Sequence, residues 1–154
     1  MDIARIKWTG NRQFLGLDQS GHNVVMDASV EYKGEGSGIR PVELVLHALA
    51  GCTAMDVISV LEKKRQTVTH LEVIARGVQR TDAYPKIYTS IELEYVVTGP
   101  GVSPAAVERA IELSEKKYCA VKGMLGPDVS VSTLLRCVDP AACAVEAGAD
   151  EETE

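Results

Sequence analysis

Apolar and polar residues alternate along the first part of the chain, which predicts a short antiparallel meander. Ala4, Ile6 and Trp8 alternate with the charged Arg5 and Lys7, as in a strand with one buried face. Further strands are expected near residues 13–17 and 24–26, because clusters of glycine, asparagine, aspartate and serine separate these segments. A glycine-rich loop, residues 32–39, follows with no periodic pattern of its own.

Residues 41–64 are expected to form one long helix that is apolar on every side. Between Leu44 and Leu61 the only titratable side chains besides Cys52 are His47 and Asp56. A helix without a solvated face is typical of a protein core. A membrane span needs about 20 apolar residues, and the two polar side chains interrupt this segment, so a core helix is preferred.

The second half of the chain predicts a hairpin, a helix and a last strand. Residues 71–76 and 87–97 alternate and are separated by a turn at 82–85. Ser103 is the expected N-cap of a helix that starts at Pro104 and continues to Tyr118. Residues 129–135 form the last strand. No strand has the continuous apolar sequence of a parallel sheet, so the fold class is α+β, with antiparallel sheets packed on helices.

Composition narrows the possible partners and compartment. The chain has 154 residues and a net charge of −6, which suits one domain and disfavours nucleic acid as a partner. The N-terminus lacks the apolar segment of a secretory signal, so we expect a cytoplasmic protein with reduced thiols and no membrane attachment. Residues 1–137 are expected to form a single domain. Residues 138–154 are small and acidic, which indicates a weakly ordered tail.

Two of the four cysteines occupy positions that suggest chemistry. Cys52 lies among small residues in LAGCTA, and Cys119 follows one predicted helix and begins another, near several lysines. Helix N-termini and nearby cations lower the pKa of a thiol and make it a better nucleophile. The alternative is that both are packed as small hydrophobes, as free cysteines often are. Cys137 and Cys143 are interpreted as incidental, and the spacing of cysteines and histidines predicts no metal site.

Asp56 lies one helical turn after Cys52. A carboxylate in a core helix is costly to bury without a partner. We therefore expect Asp56 to line the site and to pair with a lysine or arginine. Without such a cation, its charge would raise the pKa of a neighbouring thiol. His47 is interpreted as a core or interface histidine.

The two cysteine-containing segments together resemble the OsmC/Ohr family of organic hydroperoxide reductases and their osmotically induced relatives. These segments are RPVELVLHALAGCTAMDV around Cys52 and SEKKYCAVKGML around Cys119. The similarity extends from Ile3 to about Arg136, and the order of predicted elements matches the family throughout. The match is best with a small, less characterised branch.

The resemblance implies a fold and a reaction. The fold would be an intertwined homodimer in which antiparallel sheets wrap around two central helices, one from each chain. Cys52 would attack an organic hydroperoxide and Cys119 would resolve the resulting sulfenic acid into a disulfide. A dithiol or a lipoyl-bearing protein would then reduce the disulfide. The family needs no metal or organic cofactor, and the implied role is in oxidative stress.

The sequence departs from the family pattern at the residues around the thiol. The family's peroxidases usually place a glutamate directly after Pro41, where this chain has Val42, and the acidic residue is Glu43. Arg12 is the candidate for the arginine that faces the thiolate, with Lys33 or Arg40 as alternatives, and Glu43 and Asp56 are candidate substrate-binding residues. The departure keeps open a second function, a redox-sensing or ligand-binding dimer without efficient turnover.

Overall fold

The computed structural model describes residues 1–136, which fall into two compact units that divide at Val45 and Leu46. The order of elements agrees with the α+β prediction, with one sheet in each unit. The predicted acidic tail, residues 138–154, lies outside the described residues, as do Cys137 and Cys143.

The N-terminal unit contains the predicted antiparallel meander. Its three strands pair in the order β1-β2-β3, and Trp8 lies opposite Phe14 across the first pair. The strands are β1 (Arg5–Gly10), β2 (Gln13–Leu17) and β3 (Asn23–Met26).

A buried carboxylate organises the glycine-rich loop, for which the sequence predicts no regular structure. Asp27 accepts hydrogen bonds from the backbone N–H groups of Ala28, Glu35 and Ser37, and from the Ser37 hydroxyl. Hydrogen bonds from Ser37 lower the pKa of Asp27, because they favour its charged form. The same loop includes a 3₁₀ turn at Val30–Tyr32.

Helix α1 (Glu43–Lys63) is the predicted central helix, starting two residues later than expected. The Glu43 carboxylate accepts a hydrogen bond of 3.0 Å from the backbone N–H of Arg40, so the acidic side chain caps the N-terminus of the helix. The helix is long and apolar enough to cross a membrane by length and composition, a property that core helices of soluble proteins share.

Within one chain, α1 is not buried on every side as its composition predicted. Met55 is 70% exposed and His47 is also exposed. An apolar helix face that stays open needs either solvent or another surface against it. The buried side chains of α1 are Leu49, Thr53, Val57, Val60 and Leu61.

The sheet of the C-terminal unit is mixed, which corrects the prediction of antiparallel sheets only. Strands β4 (His70–Gln79) and β5 (Tyr88–Thr98) form the predicted antiparallel hairpin. Strand β6 (Ser130–Arg136) pairs with β5 in parallel. The long helical connection between β5 and β6 permits the parallel return. Strand β6 is an edge strand that is largely exposed. Its sequence therefore lacks the continuous apolar segment that is typical of buried parallel strands.

Strand β5 supplies much of the core of this unit. Its predicted apolar face is buried from Ile91 to Val97, whereas Thr89 and Ile87, which directly precedes the strand, are exposed. Glu94, on the opposite face, is also buried and is held by arginines from both neighbouring strands: Arg76 at 2.6 Å and Arg136 at 2.8 Å. The buried residues of the predicted face are Ile91, Leu93, Tyr95 and Val97.

The predicted helix over 104–118 is divided into two geometries. Helix α2 covers Pro104–Leu113, and Ser114–Tyr118 continues it as a π-helical turn. Ser103 occupies the N-cap position, as predicted, although its side chain makes no capping hydrogen bond. After the π-helical turn, Cys119 precedes the short helix α3 (Ala120–Met124). Such turns are often found at functional sites.

Candidate functional site

The structure brings the sulfur atoms of Cys52 and Cys119 to about 3.2 Å from each other. Cys52 projects from the middle of α1, and Cys119 lies between the π-helical turn and α3. Cys52 is partly exposed, whereas Cys119 is 7% exposed. Two reduced thiols therefore meet in one place, with one accessible and the other enclosed.

The local backbone explains how Cys119 is positioned. Its N–H donates to the carbonyl oxygen of Ser114 at 2.9 Å, which closes the π-helical turn. Its sulfur accepts the N–H of Lys122 at 3.4 Å, so the cysteine is the N-cap of α3.

Burial raises the pKa of the Cys119 thiol, and the neighbouring Cys52 and Asp56 raise it further. The hydrogen bond from the Lys122 amide acts in the opposite direction but is the smaller effect. The sequence predicted a lowered pKa from the helix start and nearby lysines. That prediction is wrong because desolvation disfavours a buried thiolate more than one amide favours it.

Two of the lysines near Cys119 have carboxylate partners of their own. Lys116 pairs with Glu112 at 2.8 Å, and Lys122 pairs with Glu115 at 3.5 Å. The positive charges of these two lysines are therefore directed to glutamates and not to the thiol. The ammonium group of Lys117 lies over the ring of Tyr118, 5.4 Å from its centroid.

Asp56 lies beside the thiol pair, as predicted. Its carboxylate and the two sulfur atoms lie within 4.8 Å of one another. The hydrogen-bond partner of Asp56 is a hydroxyl and not the expected cation: Ser114 donates to its Oδ2 at 2.8 Å. Over residues 46–136, no lysine or arginine forms an ion pair with this carboxylate.

A chain of buried hydroxyl groups leads from the core to Asp56. Thr53 Oγ1 lies 2.9 Å from Ser114 Oγ and 2.7 Å from the phenol oxygen of Tyr95. Since Ser114 gives its only hydrogen to Asp56, Thr53 must donate to Ser114, and Tyr95 must donate to Thr53. Burial raises the pKa of Tyr95 to about 12, so the phenol remains a donor at neutral pH.

The sequence did not predict that the site includes Thr53, Tyr95 and Ser114. One signal was present: Ser114 falls on the same face of the predicted helix as the apolar Val107, Ala110 and Ile111, where a hydroxyl must find a partner. Thr53 follows Cys52 directly in a helix that is otherwise apolar. Nothing in the alternation of β5 distinguishes Tyr95 from the other core residues.

Arg12 and Glu43 belong to the N-terminal unit. Arg12 is exposed in the turn between β1 and β2. Glu43 pairs with Arg40 at 2.5 Å, so the arginine that Glu43 holds comes from the loop before α1. The catalytic role of Arg12 and the substrate-binding role of Glu43 stay predictions.

Comparison with known proteins assigns the chain to a family. A family model described as OsmC-like protein matches residues 34–133. The chain belongs to the OsmC family. This OsmC protein is 42% identical to protein YhfA of Escherichia coli over 129 residues, which cover 84% of the chain and 92% of YhfA.

Solved structures support the same fold for this OsmC protein. A hypothetical protein from Aquifex aeolicus is 29% identical, with a TM-score of 0.79 over 90% of this chain and 97% of the other. The organic hydroperoxide resistance protein OsmC from Legionella pneumophila is 16% identical, with a TM-score of 0.67 over 88% of this chain and 96% of the other.

Proposed function

We propose that this OsmC protein reduces organic hydroperoxides with Cys52 as the peroxidatic cysteine and Cys119 as the resolving cysteine. The observation that carries the proposal is the pair of sulfur atoms about 3.2 Å apart, one accessible and one enclosed. Family membership and the hydroperoxide resistance proteins among the structural neighbours support it.

The raised pKa of Cys119 supports this division of roles. At neutral pH Cys119 remains a thiol, so it can donate its S–H toward the sulfur of Cys52. Cys52 is then the acceptor and the attacking atom, and it is also the more accessible of the two. Because Cys119 is enclosed, the hydroperoxide reacts first with Cys52, and Cys119 reacts in the second step.

In the first step the Cys52 thiolate attacks the distal oxygen of the hydroperoxide. The O–O bond breaks, the alkoxide takes a proton and leaves as an alcohol, and Cys52 becomes a sulfenic acid. In the second step the sulfur of Cys119 attacks the sulfur of Cys52, water leaves and a disulfide forms. Since a disulfide bond is about 2.05 Å long, the sulfurs need to approach by only ~1.1 Å from their 3.2 Å separation.

Turnover then requires an external reductant, which we propose to be a small dithiol or a lipoyl-bearing protein. Thiol–disulfide exchange with a dithiol releases both cysteines and oxidises the reductant. The cycle suits a reducing compartment such as the cytoplasm.

We also propose that the protein acts as a homodimer with the open face of α1 covered by a second copy. The exposure of Met55 in an otherwise apolar helix supports this. Light scattering over a dilution series is expected to give a dimer, and a folded monomer at all concentrations would contradict the proposal.

The test uses the full chain with Cys137→Ser and Cys143→Ser, so that two thiols remain. One equivalent of cumene hydroperoxide added to the reduced protein should remove both thiols and two hydrogens from the intact mass. Cys119→Ser should instead accumulate a sulfenic acid at Cys52 that a dione reagent traps.

The Cys52→Ser variant should consume no hydroperoxide. Rapid consumption by this variant would remove Cys52 from its proposed role. Lipoamide with a lipoamide-reducing system should sustain turnover in the parent protein.

A redox sensor without efficient turnover is the second candidate. It is favoured by the anionic surroundings of the thiol pair, since Asp56 is near both sulfurs and is held by a hydroxyl. A disulfide that forms with hydroperoxide but is not recycled by dithiols would favour the sensor. Sustained turnover would exclude it.

A further inference from the structure

We propose that the reduced cluster of Cys52, Asp56 and Cys119 is a reversible binding site for Zn²⁺. The site would exist only while both cysteines are reduced, because a disulfide removes two of its three ligands. The proposal needs the arrangement of donor atoms and does not depend on peroxidase activity.

The three donor atoms have the spacing of a zinc site. They lie within 4.8 Å of one another, and the two sulfurs are about 3.2 Å apart. In a tetrahedral zinc site with Zn–S near 2.3 Å and Zn–O near 2.0 Å, the two sulfurs are separated by roughly 3.8 Å, and a sulfur and an oxygen by roughly 3.5 Å. Small side-chain movements therefore bring all three atoms to bonding distance.

The two ligands on α1 have a favourable sequence spacing. Cys52 and Asp56 are four residues apart, which places them on one face of the helix. Cys119 approaches from the N-terminus of α3. Sequence spacing alone could not predict this site, because no two of its ligands form one of the familiar short cysteine or histidine motifs.

The charges at the cluster favour a dication. Cysteines lose their protons when they bind a metal, so two thiolates and a carboxylate would then carry three negative charges. Residues 46–136 provide no lysine or arginine in an ion pair with Asp56. Lys122, the lysine whose amide contacts Cys119, pairs its ammonium group with Glu115. An ion with two positive charges would compensate most of the negative charge that forms when Cys119 gives up its proton.

Hydrogen bonds from residues outside the three proposed ligands already hold the Asp56 carboxylate in place. Ser114 donates to Asp56 Oδ2 and is fully buried, which leaves Oδ1 as the oxygen that can face an ion. Thr53 and Tyr95 in turn hold Ser114. Outer-shell hydrogen bonds of this kind orient metal ligands.

Ligand chemistry selects the ion. Thiolates favour zinc and Cu(I) over the hard cations magnesium and calcium, and a carboxylate oxygen is a common third ligand for zinc. The partial exposure of Cys52 gives the ion an approach and leaves room for a water as the fourth ligand.

Hydroperoxide would release the ion. Each thiolate loses one electron, the O–O bond accepts both, and the two oxygens leave as an alcohol and water with two protons from solvent. The sulfurs form a disulfide, and Zn²⁺ leaves unchanged.

The test is a titration of the reduced full chain, carrying Cys137→Ser and Cys143→Ser, with Zn²⁺ in competition with a chromophoric chelator. One equivalent per chain should bind. Cys52→Ser and Cys119→Ser should each weaken binding by more than about 100-fold, and Ser114→Ala by about 10–100-fold as for other outer-shell partners. Co²⁺ should give a thiolate-to-cobalt charge-transfer band in the parent protein.

Glu108→Gln is the matched control, since it neutralises an exposed carboxylate of α2 outside the cluster and should leave zinc affinity unchanged. Unchanged affinity in Cys52→Ser or Cys119→Ser, or Co²⁺ binding without the thiolate band, would overturn the site. Zinc that binds as expected but stays bound when cumene hydroperoxide is added would refute release by hydroperoxide and leave the zinc site standing. The peroxidase proposal is tested separately, on the zinc-free protein.

Discussion

Replacing Tyr95 with phenylalanine should have opposite effects on stability at neutral and at alkaline pH. The phenol is fully buried and donates to Thr53 at 2.7 Å. Near pH 8 its loss should cost about 1 kcal/mol, the usual net contribution of one hydrogen bond.

The alkaline effect follows from the pKa of the phenol. Tyr95 has a pKa of about 12 in the folded protein and about 10 in the unfolded chain. A raised folded-state pKa means that the unfolded chain ionises first, so stability is lost as the pH rises above 10. By pH 11 the parent protein should lose about 1.4 kcal/mol through this residue. The variant has no phenol at this position and avoids that loss.

The two free energies of unfolding should therefore cross close to pH 11. Urea unfolding followed by far-ultraviolet circular dichroism, in the presence of reductant, measures both proteins between pH 8 and 11. Tyr84→Phe is the matched control, because Tyr84 is 85% exposed and its removal should leave the pH dependence unchanged. A constant difference between the parent and Tyr95→Phe across this range would show that the phenol is not desolvated.

Three other substitutions, the first of them with a matched control, test the fold. Glu94→Gln should destabilise the protein by about 2 kcal/mol in urea, because a buried charge-assisted hydrogen bond is lost. The control is Glu92→Gln, because the Glu92 carboxylate also pairs with Arg76 but is 48% exposed. It should change stability by less than about 0.5 kcal/mol. Equal losses of stability in the Glu94 and Glu92 variants would contradict the importance of burial. Asp27→Asn should loosen the loop, measured as faster amide exchange at Ser37. It should also remove the Asp27 contribution to stability, which is present at neutral pH and declines as acid protonates the carboxylate. Gly34→Ala should unfold the loop or the unit, because a Cβ would lie 1.9 Å from a backbone oxygen, and an unchanged melting temperature would contradict that geometry.

Local patterns were sufficient to predict most of the secondary structure. The alternation in β4 and β5 and the length of α1 identified the major elements, because these features depend on neighbouring residues. The parallel pairing of β6 was missed, since an exposed edge strand has the same alternation whichever direction it runs. The π-helical turn was missed because one extra residue per turn leaves no distinct sequence pattern.

The site was predictable only in part. Cys52 and Cys119 were paired by family resemblance, since their separation in sequence gives no information about distance. The prediction of a lowered pKa for Cys119 was wrong, because the neighbouring lysines in the sequence do not reveal that the thiol is buried. Asp56 was correctly placed near the thiols, but its partner was Ser114, a small residue that looked like part of an apolar stripe.

The π-helical turn at Ser114–Tyr118 makes the length of this segment critical. It presents the Ser114 hydroxyl to α1 and, five residues later, returns the sulfur of Cys119 to the same neighbourhood. Ordinary α-helical winding over the same five residues would rotate everything that follows by about 100°. Homologues that keep both cysteines should therefore tolerate substitutions in this segment far more readily than a change in its number of residues.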